Sequence, residues 1–174
     1  MFFKKKNRDK QIEEYMQSDE YKKMREEALK DVFSDMEFYE SAEYERIRTL
    51  QDSYYEQMEK IQEAWSVLYN LKAYDSEMAD QFESACMENI RRYHEMRKAE
   101  EGTPVEDDHD LSVPAYTRLA MLYERRKDYD AAIETCVASI RAKGVKGEYA
   151  RLARMIKKSE KPIGDDVMAL LDQK

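Results

Sequence analysis

The chain has 174 residues, with 30 Lys and Arg against 38 Asp and Glu for a net charge of −8. Its 4 Gly and 3 Pro all lie at or beyond residue 102. Residues 1–101 therefore lack the residues that sharp turns draw on, which excludes a β-sandwich, a barrel or a Gly-rich phosphate loop from that stretch.

The negative charge is concentrated in the same stretch, which argues against binding a nucleic-acid backbone. Leu, Ile, Val and Phe are sparse, and 13 Tyr and 11 Met supply much of the apolar material. Such a composition suits a polar protein with a thin core.

In chain order, residues 8–31 read as a first helix with Ile12, Tyr15, Met16, Met24, Ala28 and Val32 as its apolar positions. The stripe is interrupted at Gln17-Ser18-Asp19, where a break fits. Ser34-Asp35-Met36-Glu37 has the capping-box pattern and predicts a second helix from about residue 35. Its stripe runs through Ile47, Leu50, Tyr54, Met58, Ile61, Trp65, Leu68 and Leu71. Unbroken, residues 35–71 would span ~55 Å, longer than the ~40 Å width of a compact domain of this size. Either the helix breaks, with Ser41 the natural place, or it projects as an arm.

Residues 70–76 hold a turn, with Asp75 or Ser76 as N-cap. A helix over 76–99 follows, with Met78, Phe82, Cys86, Ile90 and Tyr93 on one face. Residues 54–99 thus have the geometry of a repeat-like hairpin. Residues 102–111, with Gly102, Pro104 and an acidic run, form a linker between an acidic long-helix region at 1–101 and a helical array at 112–174.

That array opens on Ser112-Val113-Pro114, a cap and an early-turn proline. Tyr116, Leu119, Ala120 and Tyr123 follow at helical spacing, then a polar turn, then Tyr129 and Ala132. This pattern resembles a tetratricopeptide repeat, a helix–turn–helix unit, over residues 113–146. Cys136, Lys127 and Gly144 depart from it, standing where the family usually has an aromatic, a Gly and a Pro. Residues 148–171 read as a degenerate repeat or capping hairpin, with Tyr149, Leu152, Ala153 and Ile156, a turn at Pro162-Ile163-Gly164-Asp165, and a last helix marked by Val167, Leu170 and Leu171.

The resemblance implies close approach of two helices over Ala120 and Ala132. It also implies a groove on the first helix, bordered by Thr117, Arg118, Met121, Glu124 and Arg125. Family members that grip a peptide's terminal carboxylate place Lys and Asn where Thr117 and Met121 stand, so that clamp is incomplete here. Because one repeat cannot bury both of its faces, neighbouring helices must stack on it.

Catalytic patterns are missing from the sequence. His94 sits in a charged helix, and His109 in an acidic run, Glu106 to Asp110, that reads as linker. Cys86 and Cys136 form no CxxC pair and lie in apolar stripes, as buried thiols of a reducing cytoplasm do. No stretch approaches a membrane span, and Met1-Phe2-Phe3-Lys4-Lys5-Lys6 carries no apolar signal region. Residues 141–174 carry a basic excess that reads as a solvated helical face.

The expectation is an all-α protein of antiparallel hairpins, a short tetratricopeptide-like solenoid with a long-helix N-terminal extension. It would be a cytoplasmic, non-catalytic adaptor binding another protein or a peptide. No metal, cofactor, nucleic acid or stable membrane insertion is expected. The alternative is a structural homo-oligomer associating through the stripe at 47–71.

Overall fold

The computed structural model describes residues 12, 15–106, 113–142 and 146–172, and among them every regular element is an α-helix. The helices are α1 (Asp19–Tyr39), α2 (Ala42–Leu71), α3 (Glu77–Glu100), α4 (Pro114–Arg126), α5 (Tyr129–Arg141), α6 (Lys146–Lys158) and α7 (Asp165–Asp172). They fall into two units, Met1–Arg46 and Ile47–Lys174, with the division inside α2. Residue 102, the boundary that Gly and Pro mark in the sequence, lies within the second unit.

In the first unit, Ser18 caps α1: its Oγ accepts from the Tyr21 N–H at 3.1 Å. Helix α1 then runs straight through Ser34, so the expected start near residue 35 is corrected. A capping serine must leave helical geometry, and nothing between Asp19 and Tyr39 interrupts the backbone ladder to let it. The break comes at Glu40-Ser41, the alternative that helix length favoured. There the Ser41 Oγ accepts from the Tyr44 N–H at 3.1 Å and starts α2. Phe38, Tyr39 and Tyr44 cluster edge-on around this turn, with ring centroids 5.1–5.7 Å apart. No residue of α1 is buried.

In the second unit, α2 and α3 form an antiparallel hairpin. Trp65 packs on Phe82 near the turn, with ring centroids 5.7 Å apart. Farther from the turn, the Asn89 Nδ2 donates to the Tyr54 carbonyl at 3.0 Å, and the Gln51 Nε2 to the Glu100 carboxylate at 2.8 Å. Ser76 caps α3, accepting from the Ala79 N–H. The buried stripe of α3 is Ala79, Phe82, Cys86, Asn89, Tyr93, Met96 and Glu100. Met78, expected on that stripe, is exposed, and Ile90 is only half-buried.

The next hairpin is tighter. Pro114 occupies the first turn of α4, where its missing N–H is no loss. The α4 C-terminus closes with two bonds, from the Lys127 N–H to the Glu124 carbonyl and from the Asp128 N–H to the Tyr123 carbonyl. This Schellman closure puts Lys127 in the left-handed region, at φ 62°. Asp128 then caps α5, accepting from the Ala131 N–H at 3.2 Å. Ala120 and Ala132 are both fully buried, and α4 packs directly on α5.

Helix α3 also packs on α4, and α5 on α6. Arg126 ties the first of these contacts, donating to the Tyr74 carbonyl, Glu83 and Asp80 at 2.6–2.7 Å. Between α5 and α6, the Cys136 thiol lies 3.6 Å from the Glu148 carboxylate.

These contacts fix directions. Helix α4 meets α2 start to middle and end to end, through Arg118 with Gln62 and Arg125 with Tyr69. It meets α6 in the same sense, through Thr117 with Glu148 and Glu124 with Lys158. The first helix of the middle hairpin therefore runs parallel to α2 on one side and to α6 on the other.

Candidate functional site

The five residues expected to border a groove are not equivalent. Thr117 and Arg118 are half-buried and committed to neighbouring helices. The Thr117 Oγ1 donates to the Glu148 Oε1 at 2.6 Å. The Arg118 Nε donates to the Gln62 Oε1 at 2.9 Å, and its guanidinium lies 5.8 Å from the Trp65 ring centroid. Cation–π geometry of this kind makes Arg118 a strut between α2 and α4.

Met121, Glu124 and Arg125 instead come together at the wall of a cavity of about 490 Å³. Its other lining residues are Lys127, Tyr129, Arg151, Arg154 and Lys158. Among the described residues of that lining, Glu124 is the only carboxylate beside five cations. It accepts from Arg151 Nη1 at 3.1 Å, from Arg154 at 3.1 and 2.9 Å, and from Lys158 Nζ at 3.0 Å. The Arg154 hydrogen bonds, then Lys158, pull the Glu124 carboxyl down to about 2 against the opposing effect of burial. Arg154 is raised in turn by the same contact. Lys158 also sits 5.8 Å from the Tyr129 ring centroid, and Arg125 is equally far from the rings of Tyr69 and Tyr74.

The sequence reading missed the α6 half of this site. Arg151, Arg154 and Lys158 follow one another by three and four residues, a single helical face. That spacing was the available signal. It could not reveal that Glu124, some thirty residues earlier, lies against the same face.

A second cavity of about 450 Å³ lies between α2 and α3 and is mostly apolar, lined by Ile61, Ala64, Val67, Leu68, Met78, Phe82 and Ala85 among others. The stripe proposed as an association seam is largely internal: Ile47, Tyr54, Ile61, Trp65 and Leu68 are buried, while Leu71 is exposed.

Burial pushes the Cys86 and Cys136 thiols up to about 12, with Glu83 and Glu148 adding to the effect, so both stay protonated at neutral pH. His94 is exposed, with its Nε2 2.9 Å from the Tyr116 hydroxyl. His109 and its acidic neighbours at 107–110 lie outside the described residues. Among the described residues, no group of three or more His, Cys, Asp or Glu is placed to hold a metal ion, and no helix is long and apolar enough to cross a membrane.

Comparison with protein-family models, with curated proteins and with solved structures finds no match to this chain.

Proposed function

We propose that the chain is a non-catalytic protein-binding adaptor working through a tetratricopeptide-like helical surface. The observation that carries this reading is the cavity between α4 and α6. It is formed by charged side chains with Met121 and Tyr129 as apolar wall, and it draws on three of the five residues expected to border a groove. A mixed surface of this sort suits an extended or helical segment of another protein. A location in the cytoplasm, as the sequence suggests, accords with two buried, unpaired thiols. Neither nucleic acid nor a stable membrane insertion enters this reading.

The test is site-specific photocrosslinking in native extract, with benzoylphenylalanine in place of Met121 and, as control, in place of the exposed Met87 on α3. The adaptor reading expects a discrete polypeptide adduct from position 121 and none from position 87. No adduct at 121, or the same adducts from both positions, rejects it.

Self-association is favoured by a different observation from the one the sequence offered. With much of the 47–71 stripe internal, an exposed apolar surface on α1 is the candidate. There Met24, Leu29, Val32, Phe33 and Met36 are each at least 43% exposed. Light scattering decides: a dimer lost on Phe33→Glu supports this reading, and a monomer at all concentrations removes it.

A further inference from the structure

We propose that the α4–α6 cavity seats an acidic segment of a partner protein, and that a ligand carboxylate takes over the cations now held by Glu124. The inference rests on the adaptor reading and names its ligand chemistry.

Glu124 is a resident occupant of an anion position. A carboxylate offers about four lone-pair sites, and four donor contacts from Arg151, Arg154 and Lys158 fill them. Arg154 and Lys158 share Glu124 with Arg151, which also lies 3.6 Å from the buried Glu148 carboxylate, so the five cations of the lining face two carboxylates. Arg125 and Lys127 line the same cavity and do not bond to Glu124. Such a surplus of positive charge, in a chain whose net charge is −8, has its natural counterpart in an anion from outside.

Two features favour a peptide over a small ion. The α6 cations extend from residue 151 to residue 158, about 10 Å at 1.5 Å per residue, much wider than one carboxylate or phosphate. Carboxylates at alternate positions of an extended peptide lie about 7 Å apart, so two of them fit within that span. In addition, Met121 and Tyr129 give the cavity an apolar wall against which the methylenes of the acidic side chains can lie.

Lys127 adds an exposed cation to the rim of the cavity.

The experiment is fluorescence anisotropy with a labelled peptide, Gly-Ser-Glu-Tyr-Glu-Ser-Gly, blocked at both ends so that it has no terminal carboxylate. Its Gln-for-Glu analogue is the control. The full chain should bind the Glu peptide at least tenfold more tightly than the Gln peptide. Arg154→Glu with Lys158→Glu should abolish this preference, while Lys72→Glu with Lys98→Glu, the same charge change elsewhere, should leave it intact. Glu124→Gln should bind the Glu peptide about threefold or more tighter, because the internal competitor is gone. A misfolded variant cannot produce that gain.

Equal affinity for the two peptides overturns the proposal, as does weaker binding by Glu124→Gln. Displacement of the peptide by inorganic phosphate at lower concentration than by unlabelled Glu peptide also overturns it, in favour of a phosphate site. If the Met121 crosslink persists while the Glu peptide does not bind, the adaptor reading stands and the acidic ligand falls. If the peptide binds and the crosslink is absent, the adaptor reading falls, the partner-protein part of the proposal falls with it, and only a site for acidic groups is left.

Discussion

Thr117 donates a 2.6 Å hydrogen bond to Glu148, and Glu148 is almost completely buried. The pair joins α4 to α6 one turn before Met121. A buried carboxylate that loses a donor keeps its desolvation penalty without the compensating bond, at a cost of about 1–3 kcal/mol. Thr117→Val should therefore lower stability by that order, and Thr117→Ser should restore most of it. Urea titration of the three proteins measures the difference.

Lys127 gives a prediction of opposite sign. Its left-handed φ strains a residue that carries a Cβ, while Gly would take it freely. Lys127→Gly should stabilise the fold by about 0.5–1 kcal/mol, after the greater freedom of Gly in the unfolded chain is subtracted. A rise of a few degrees in the thermal midpoint would show it. The same variant should bind the Glu peptide less tightly, since one rim cation is lost.

The ion cluster at Glu124 has a pH signature. Its carboxyl is lowered from 4.5 to about 2 in the folded chain. A depressed folded-state value contributes stability that is fully present above the unfolded value and lost as pH falls through the folded one. Wild type should exceed Glu124→Gln in stability at pH 7, and the gap should close between about pH 4.5 and pH 2. Denaturant midpoints at pH 7, 4 and 2.5 provide the check. A gap independent of pH would mean that Glu124 acts by packing alone.

Ala120 on α4 and Ala132 on α5 are fully buried in the core. Ala132→Leu must push its neighbours apart or leave its rotamer, which costs about 1–3 kcal/mol or more. Ala131→Leu, at a half-buried neighbour, should cost less. Thermal melts of both variants rank them.

Much of this fold was legible in the chain. The serines that end one helix and begin another, Ser18, Ser41 and Ser76, act through local backbone N–H groups, so sequence neighbours suffice to identify them. Ser34 has the same local pattern but sits inside a continuous helix, because a cap preference of about 1 kcal/mol does not break an uninterrupted ladder.

Apolar periodicity located Phe82, Cys86 and Tyr93 correctly. It passed over Asn89 and Glu100, which are buried because distant partners, Tyr54 and Gln51, bond to them. The candidate site divides in the same way. Met121, Glu124 and Arg125 follow from one helix face, whereas Arg151, Arg154 and Lys158 matter only through their contact with Glu124 across the fold.

The most direct test of the central claim is a methyl-methionine NMR titration of the full chain with the blocked Glu peptide. Met121 lines the charged cavity, Met78 the apolar one, and Met87 is exposed on α3. An acidic segment seated between α4 and α6 should shift the Met121 methyl signal in a saturable way and leave those of Met78 and Met87 in place. A saturable shift at Met78 with none at Met121, or no shift at any of the three, would contradict it.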